Sequence, residues 1–396
     1  MRIPNMPFSF FSPEAIHYGR GQSQQTANLA KGFGPSVLLV HGANAARAKW
    51  LVASCAEAGL QLTTLSCAQE PSLPDIEAAL ADLKGKPLDV VIALGGGAVI
   101  DFAKALAALI RCDAPPIEYL EVVGTGRALD HVPLPMIALP TTAGTGAEVT
   151  KNAVISVPDR GLKVSLRDPR MIPNIAIIDP ALMQGAPKRI VLSAGLDAVT
   201  QLIEPYLCSK ANPMTDALCR QGLEAGFAAL RRVVEADDPA AWDVMGLVSL
   251  YGGLALANAG LGAVHGLAGV IGGTTNAPHG EVCGALLPAV LASHQSKAKA
   301  DPDSETALRL DWVMGLLDAT FAGEMPLDGD PARKGKGLPG VLRWSKQHGL
   351  RGLGDMGLNP ADYAEVATAG MGASSMKANP FVLTQQELIE IMQAAA

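Results

Sequence analysis

Val90-Val91-Ile92-Ala93-Leu94 is apolar at every position and runs directly into Gly95-Gly96-Gly97. A strand that is apolar on both faces has to be covered on both sides, as a central strand of a helix-wrapped parallel sheet is. The residues behind the glycines, Ala98 to Ile110, have helical composition and carry only Asp101 and Lys104 as charges. The stretch Val90 to Ile110 therefore reads as strand, turn and helix, not as a membrane span. With the Val90–Leu94 run taken as Asp89–Leu94, further strand candidates are Val37–Val40 (ending in His41-Gly42), Leu60–Leu65 and Pro135–Leu139. Between them, Ala45–Ala58 and Pro74–Leu83 have helical composition, the second opened by Pro-Asp. Strands alternating with helices predict an α/β domain built on a parallel sheet. The segment Asn152–Ile178 carries turn signals and short β-rich pieces, and reads as a hairpin excursion.

After Asp179-Pro180 the texture changes. From Lys188 onward the chain is rich in Ala, Leu and Gly at helical spacing, with no strand series. A length of 396 residues suits two domains. We place the boundary so that residues 1–185 form an α/β domain and 186–396 an all-α domain. Gly323–Gly340, rich in Gly, Pro and charge, reads as a long surface loop. The net charge of −7, with no basic block, argues against a nucleic-acid partner. The cysteines Cys55, Cys67, Cys112, Cys208, Cys219 and Cys283 form no C-x-x-C pair and fit a reducing compartment. Met1 to Pro13 lacks the charged and apolar regions of a secretion leader. The expectation is a soluble, cytoplasmic protein with no membrane partner.

The strand-GGG-helix unit lets backbone approach a ligand closely and aims free N–H groups at an anion, as a pyrophosphate cradle requires. A tight strand-to-helix connection would use the same glycines. A second segment, Pro140-Thr141-Thr142-Ala143-Gly144-Thr145-Gly146, follows the Pro135–Leu139 strand and supplies hydroxyls for a nucleotide. An ST-turn with a cap would also account for it. Two such loops at two parallel strand ends favour a nucleotide crevice.

Asp197, Gln201 and Glu204 stand at i, i+4 and i+7 and share one helical face. His265 and His279 follow in Gly-rich, apolar surroundings. One Asp and two His make a three-ligand set for a divalent ion with a position left open. Local capping by Asp197 and satisfied core histidines would be the plainer alternative.

Taken together, these segments resemble the iron-containing (group III) alcohol dehydrogenase family. The matching motifs are GGGAVID at 95–101, PTTAGTGAEVT at 140–150, DAVTQLIE at 197–204, HGLAG at 265–269 and PHG at 278–280. Asn379-Pro380 with Leu383-Thr384 matches the C-terminal pattern, so the resemblance spans essentially the whole chain. It implies a dehydroquinate synthase-like fold, with a dinucleotide domain, an all-helical domain and an active site in the cleft between them. It implies NAD or NADP as cofactor, one divalent metal (Fe2+ or Zn2+), an alcohol, aldehyde or ketone substrate, and a homo-oligomer, a dimer. Residue by residue, Gly96, Gly97, Asp101, Thr141, Thr142, Thr145 and Lys163 would contact the cofactor. Asp197, His265 and His279 would carry the metal and the catalysis. Two positions depart from the pattern. Gln201 stands where a His ligand is usual, and Gly269 where a second cleft histidine usually serves proton transfer. Ala98 and Ala147 replace serines. Asp197, Gln201, His265 and His279 are thus the expected metal set, with Gln201 offering at most an amide oxygen or a hydrogen bond to bound water. Glycerol dehydrogenases and dehydroquinate synthases of the superfamily manage with one carboxylate and two histidines. A maleylacetate reductase-like or hydroxy-acid activity is the rival on the same scaffold, and a nucleotide-binding protein without catalysis the rival of another class. The first strand ends at Gly42 with no carboxylate, and Arg47 and Lys49 follow, so NADP(H) is expected to be accepted.

Overall fold

Six parallel strands form the main sheet: β1 Ala15–Tyr18, β2 Ser36–Gly42, β3 Gln61–Cys67, β4 Val90–Gly95, β5 Met136–Pro140 and, after the hairpin strands β6 and β7, β8 Ile175–Ile178. Their order is β1-β8-β5-β4-β2-β3. The computed structural model describes residues 7–275, 277–323 and 336–396. Two compact units divide them. One holds Phe11–Thr142 and Gly146–Gln184; the other holds Gly185–Ala396 with the short segment Ala143–Thr145.

In the first unit the alternation of side chains explains why β4 is apolar throughout. Val91 and Ala93 enter one core with Leu38, Val40, Ile76 and Phe102. Val90, Ile92 and Leu94 enter the opposite core with Val37, Leu39, Ala27 and Leu51. The covering helices are α1 Thr26–Lys31 and α2 Lys49–Glu57 on one face, α3 Leu73–Leu83 and α4 Gly97–Leu109 on the other. Ser72 caps α3 in a reciprocal box with Asp75, with Pro74 in the first turn. Truncating a fully buried strand residue such as Ile92 to Ala would cost about 2–5 kcal/mol.

The hairpin is shorter than the sequence suggests. β6 Asn152–Val157 pairs antiparallel with β7 Leu162–Arg167. Ile175–Ile178, expected within the excursion, instead enters the main sheet beside β1 and β5, because all four of its side chains are buried. The edge strand β1 has no sequence reading at all. It is four residues long and only partly buried, too little for a pattern.

The second unit is helical, and among its described residues no strand occurs. Its helices are α5 Lys188–Leu207, α6 Pro213–Ala236, α7 Pro239–Asn258, α8 Ala263–Thr275, α9 His279–Ala298, α10 Glu305–Phe321, α11 Gly337–Gln347, α12 Tyr363–Gly372 and α13 Gln385–Ala394. Helix α5 is the hub, packed against α6, α7 and α9. Helix α7 is long and apolar enough to cross a membrane, but 67% of its apolar window is buried inside the protein. The expected Gly323–Gly340 loop needs correction at its end, where Gly337–Gly340 begin α11. Cβ atoms there would meet the Leu317 and Phe321 backbone of α10 at 2.3 and 2.2 Å, so these glycines serve helix packing. Residues 324–335 of that loop lie outside the described residues.

Candidate functional site

The nucleotide loop is assembled where β4 and β5 end side by side, with Gly95 opposite Pro140. Helix α4 starts at Gly97. Its N-cap, Gly96, is extended and offers no side-chain cap, so the first-turn N–H groups have no side-chain acceptor from that residue. A Cβ on Gly95 would fall 2.4 Å from the Val99 side chain, and one on Gly96 would fall 3.3 Å from Thr142 Oγ1. Glycine is what allows β4, α4 and Thr142 to converge. The Thr141 N–H donates to the Gly95 carbonyl at 3.0 Å and ties the two loops together.

Gly96, Gly97, Thr141 and Thr142 are therefore gathered at two neighbouring strand ends. Other expected cofactor residues are engaged elsewhere. Asp101 Oδ2 accepts the Val154 N–H of β6 at 3.0 Å. Lys163, on β7, is ion-paired with Glu70. Thr145 groups with the helical unit. Sequence reasoning passed over Lys104, which is fully buried and donates to Thr150 Oγ1 at 2.8 Å and to the Asn152 carbonyl at 3.1 Å. Burial pulls Lys104 down to about 8, with Asp101 and Glu148 opposing. Burial likewise pushes Glu148 up to about 7. Asp101 and Lys104 together fasten α4 to the hairpin.

In the helical unit, α5 carries Asp197, Gln201 and Glu204, all buried. Asp197 Oδ1 lies 3.3 Å from His265 Nε2 and 3.8 Å from His279 Nε2. Yet neither Asp197 Oδ1 nor His265 Nε2 has a hydrogen-bond partner. The other edge of His265 is fixed: Nδ1 meets Glu204 Oε2 at 2.6 Å. Glu204 Oε1 in turn accepts the Val264 N–H at 2.7 Å. A carboxylate behind an imidazole sets its tautomer and points the far nitrogen at an ion. Asn379, of the C-terminal pattern, accepts the Ala263 N–H at 2.9 Å and so caps the first turn of α8, which bears His265.

Gln201 lies against Asp197 and the Gly144 carbonyl. Its amide donates to Asp197 Oδ2 and to the Gly144 carbonyl, both at 3.3 Å, while its Oε1 has no partner. It thus holds one carboxylate oxygen and leaves Oδ1 facing the histidines.

Sequence reasoning passed over Cys283, one turn beyond His279 on α9. One ligand atom from each of Asp197, His265, His279 and Cys283 lies within 4.8 Å of every other. Its signal was available as His279-x3-Cys283, an i, i+4 pair on one helix face. Helix α9 reaches α5 because of two glycines at the same spacing. A Cβ on Gly280 would sit 2.5 Å from the Ser193 carbonyl oxygen, and one on Gly284 would sit 2.6 Å from Leu196 Cδ1. The buried Glu281 carboxylate, paired with Arg189 of α5 and with Arg351, anchors the same turn. One turn past His265, a Cβ on Gly269 would meet nothing within 4 Å, so open space stands where the resemblance expects an imidazole.

The field at this cluster favours a cation. Burial alone would raise the Asp197 carboxyl, but His279, His265 and Cys283 beside it hold it below the usual range. Burial opposes charge on His265, yet Cys283, Glu204 and Asp197 draw it well above the ordinary imidazole value. His279 is drawn up against burial by Cys283 and Asp197. A potential that would hold a proton here would also hold a divalent ion. The spacing fits as well. Tetrahedral coordination at usual Zn–N, Zn–O and Zn–S lengths implies ligand-to-ligand separations of about 3.3–3.6 Å. The separations here are 3.3 and 3.8 Å from Asp197 to the two histidines and 3.6 Å from Cys283 Sγ to His279 Nε2.

Comparison with known proteins agrees in both halves. Residues 13–180 match the family model for iron-containing alcohol dehydrogenase, and 191–396 match the model for the C-terminal part of the Fe-containing alcohol dehydrogenase family. Lactaldehyde reductase of Escherichia coli K12 is 30% identical over 326 residues, 82% of this chain and 81% of that protein. The NAD-dependent methanol dehydrogenase of Bacillus methanolicus is 27% identical over 394 residues, 98% of this chain and 99% of that protein. Among solved structures, the alcohol dehydrogenase from Oenococcus oeni superposes with a TM-score of 0.83 at 27% identity, covering 98% of this chain and 100% of that one. With two family models spanning nearly its whole length, this chain belongs to the iron-containing alcohol dehydrogenase family.

Proposed function

We propose that this chain is an oxidoreductase that moves a hydride between NAD(P)(H) and a small alcohol, aldehyde or ketone, with one divalent ion held by Asp197, His265 and His279. The observation that carries the metal site is the pair of buried, partnerless atoms Asp197 Oδ1 and His265 Nε2, 3.3 Å apart and facing His279. Leaving such atoms unpaired would cost about 1–3 kcal/mol each, and a shared cation relieves both. When bound, the ion supplies Lewis-acid polarisation of the substrate oxygen, and the nicotinamide supplies or takes up the hydride.

The chain's own residues provide binding and orientation. Glu204 fixes the His265 tautomer, and Gln201 fixes the Asp197 carboxylate. The uncapped N-terminus of α4, with Gly96, Gly97, Thr141 and Thr142, supports a pyrophosphate. Gly42 ends β2 without a carboxylate, which supports acceptance of NADP(H) beside NAD(H). Gly269 brings no side chain to move a proton, so the proton leaves through water or a ribose hydroxyl. Small alcohols and aldehydes are the substrates named for the lactaldehyde and methanol enzymes, which supports that class here.

The test is metal analysis combined with NAD(P)H oxidation over an aldehyde panel, on wild type and His279→Ala. We expect stoichiometric metal and turnover in the wild type. His279→Ala should lose both and keep nucleotide binding. The proposal fails if the wild type holds no metal, gains nothing from added zinc, iron or manganese, and His279→Ala changes nothing.

A further inference from the structure

We propose that Cys283 is a direct ligand of the divalent ion, the fourth protein donor in place of Gln201, and that its thiolate gives the site a preference for zinc. This rests on the metal-site reading above. Cys283 is fully buried and free, and its Sγ lies 3.6 Å from His279 Nε2. Its sulfur belongs to the same cluster as Asp197 Oδ1 and His265 Nε2, the two buried atoms without partners. A cysteine packed only for its bulk has no need of an acidic and imidazole surround.

Position supports the same reading. Asp197 and Gln201 are one turn apart on α5, and His279 and Cys283 are one turn apart on α9. Gln201 spends its amide on Asp197 Oδ2 and the Gly144 carbonyl. Cys283 lies in the second turn of α9. Gly280 and Gly284 flank it and bring that turn against α5. A set of Asp, two His and Cys is softer than the pattern with a third histidine, and thiolate favours zinc over the harder divalent ions.

Cobalt(II) in place of the native ion reports sulfur ligation through a thiolate-to-metal charge-transfer band in the near ultraviolet. The experiment compares wild type, Cys283→Ser and Cys283→Ala, each loaded with cobalt and each titrated with zinc against a chelator of known affinity. We expect the band in the wild type and its loss in both variants. Losing a residue that only orients a ligand costs roughly 10- to 100-fold in affinity. Losing a direct donor should exceed that range, so Cys283→Ala should bind zinc more than about 100-fold weaker. NAD(P)H binding, followed by nucleotide fluorescence, should be unchanged and shows that the variants are folded. A cobalt-loaded wild type without the band, or a Cys283→Ala variant with wild-type zinc affinity, overturns the role of Cys283 and leaves the dehydrogenase reading standing. A wild type that takes up neither cobalt nor zinc overturns the metal site itself, and this inference with it.

Discussion

Gly280→Ala adds one methyl group at the point where α9 meets α5. The new Cβ would sit 2.5 Å from the Ser193 carbonyl oxygen and 2.8 Å from its carbon. Both atoms are backbone of α5, one turn before Asp197, and cannot rotate aside. Non-bonded heavy atoms settle at about 3.5 Å, so the two helices must part locally by up to about 1 Å. Metal sites hold their ligand distances to about 0.2 Å, so this displacement is several times the tolerance. His279 and Cys283, on the displaced turn, would lose register with Asp197 and His265. The effect on stability should be smaller. Overpacking costs about 1–3 kcal/mol, and replacing a helical glycine by alanine returns up to about 1 kcal/mol. The net, roughly 0–2 kcal/mol, should lower Tm by at most about 4–8 °C in a unit of this size. Zinc affinity should fall at least about tenfold, as for loss of support around a ligand. The measurements are a chelator competition and a thermal melt, with Gly315→Ala as control. Gly315 is also helical, and a Cβ there would meet nothing within 4 Å, so zinc binding should not change. Wild-type zinc affinity in Gly280→Ala would refute the argument that this contact sets the geometry of the donors.

Two further outcomes are expected in the nucleotide unit. Glu148 is raised by burial to about 7 from 4.5, so the folded state binds its proton more tightly than the unfolded state. The resulting stability is present below about pH 4.5 and lost as pH rises through 7, on the order of 3 kcal/mol. Glu148→Gln should flatten that decline, and identical denaturation midpoints for both proteins at pH 5 and again at pH 7 would rule the effect out. Gly97→Val places a branched side chain at the first residue of α4, where no positive φ stands in its way. The variant should fold and lose NAD(P)H binding by at least about tenfold, and a folded variant with unchanged affinity would remove this loop from the nucleotide site.

What the sequence disclosed follows from periodicity and from chemistry concentrated in short segments. Strands β2, β4 and β5 are legible because sheet burial on both faces demands continuous apolar runs, and β4 shows this at every position. The edge strand β1 carries no such demand, and β8 was taken into the hairpin because a four-residue run cannot show which partner it will pair with. Asp197, His265 and His279 could be singled out because ionisable residues are rare in such apolar helices. Cys283 was passed over although it stands one helical turn from His279, because a cysteine in an apolar helix is most often a small core residue. The approach of α9 to α5 brings its sulfur beside Asp197 and His265. For Gln201, spacing gives the helix face but not which atom of the amide meets which neighbour; its Nε2 donates to Asp197 Oδ2 and to the Gly144 carbonyl. Lys163 and Asp101 likewise came from motif position, while their partners, Glu70 and the Val154 amide, lie far along the chain or on another element.

Gln201 and Cys283 together have an electrostatic consequence at the cluster. A divalent ion held by one carboxylate and neutral donors leaves a net charge of +1 on the assembly. With a thiolate added the charge is zero. A neutral assembly is easier to desolvate, which matters beside Asp197 and Cys283, both almost completely buried. The same neutrality weakens the pull of the ion on a substrate oxygen, so polarisation has to come more from alignment than from charge. The structure supplies rigid alignment. Glu204 is held by the Val264 amide and holds His265, Gln201 bridges Asp197 to the Gly144 carbonyl, and the Gly144 amide is fixed by Ser249. Of Asp197, His265, His279 and Cys283, His279 alone retains much surface, with 37% of its side chain accessible.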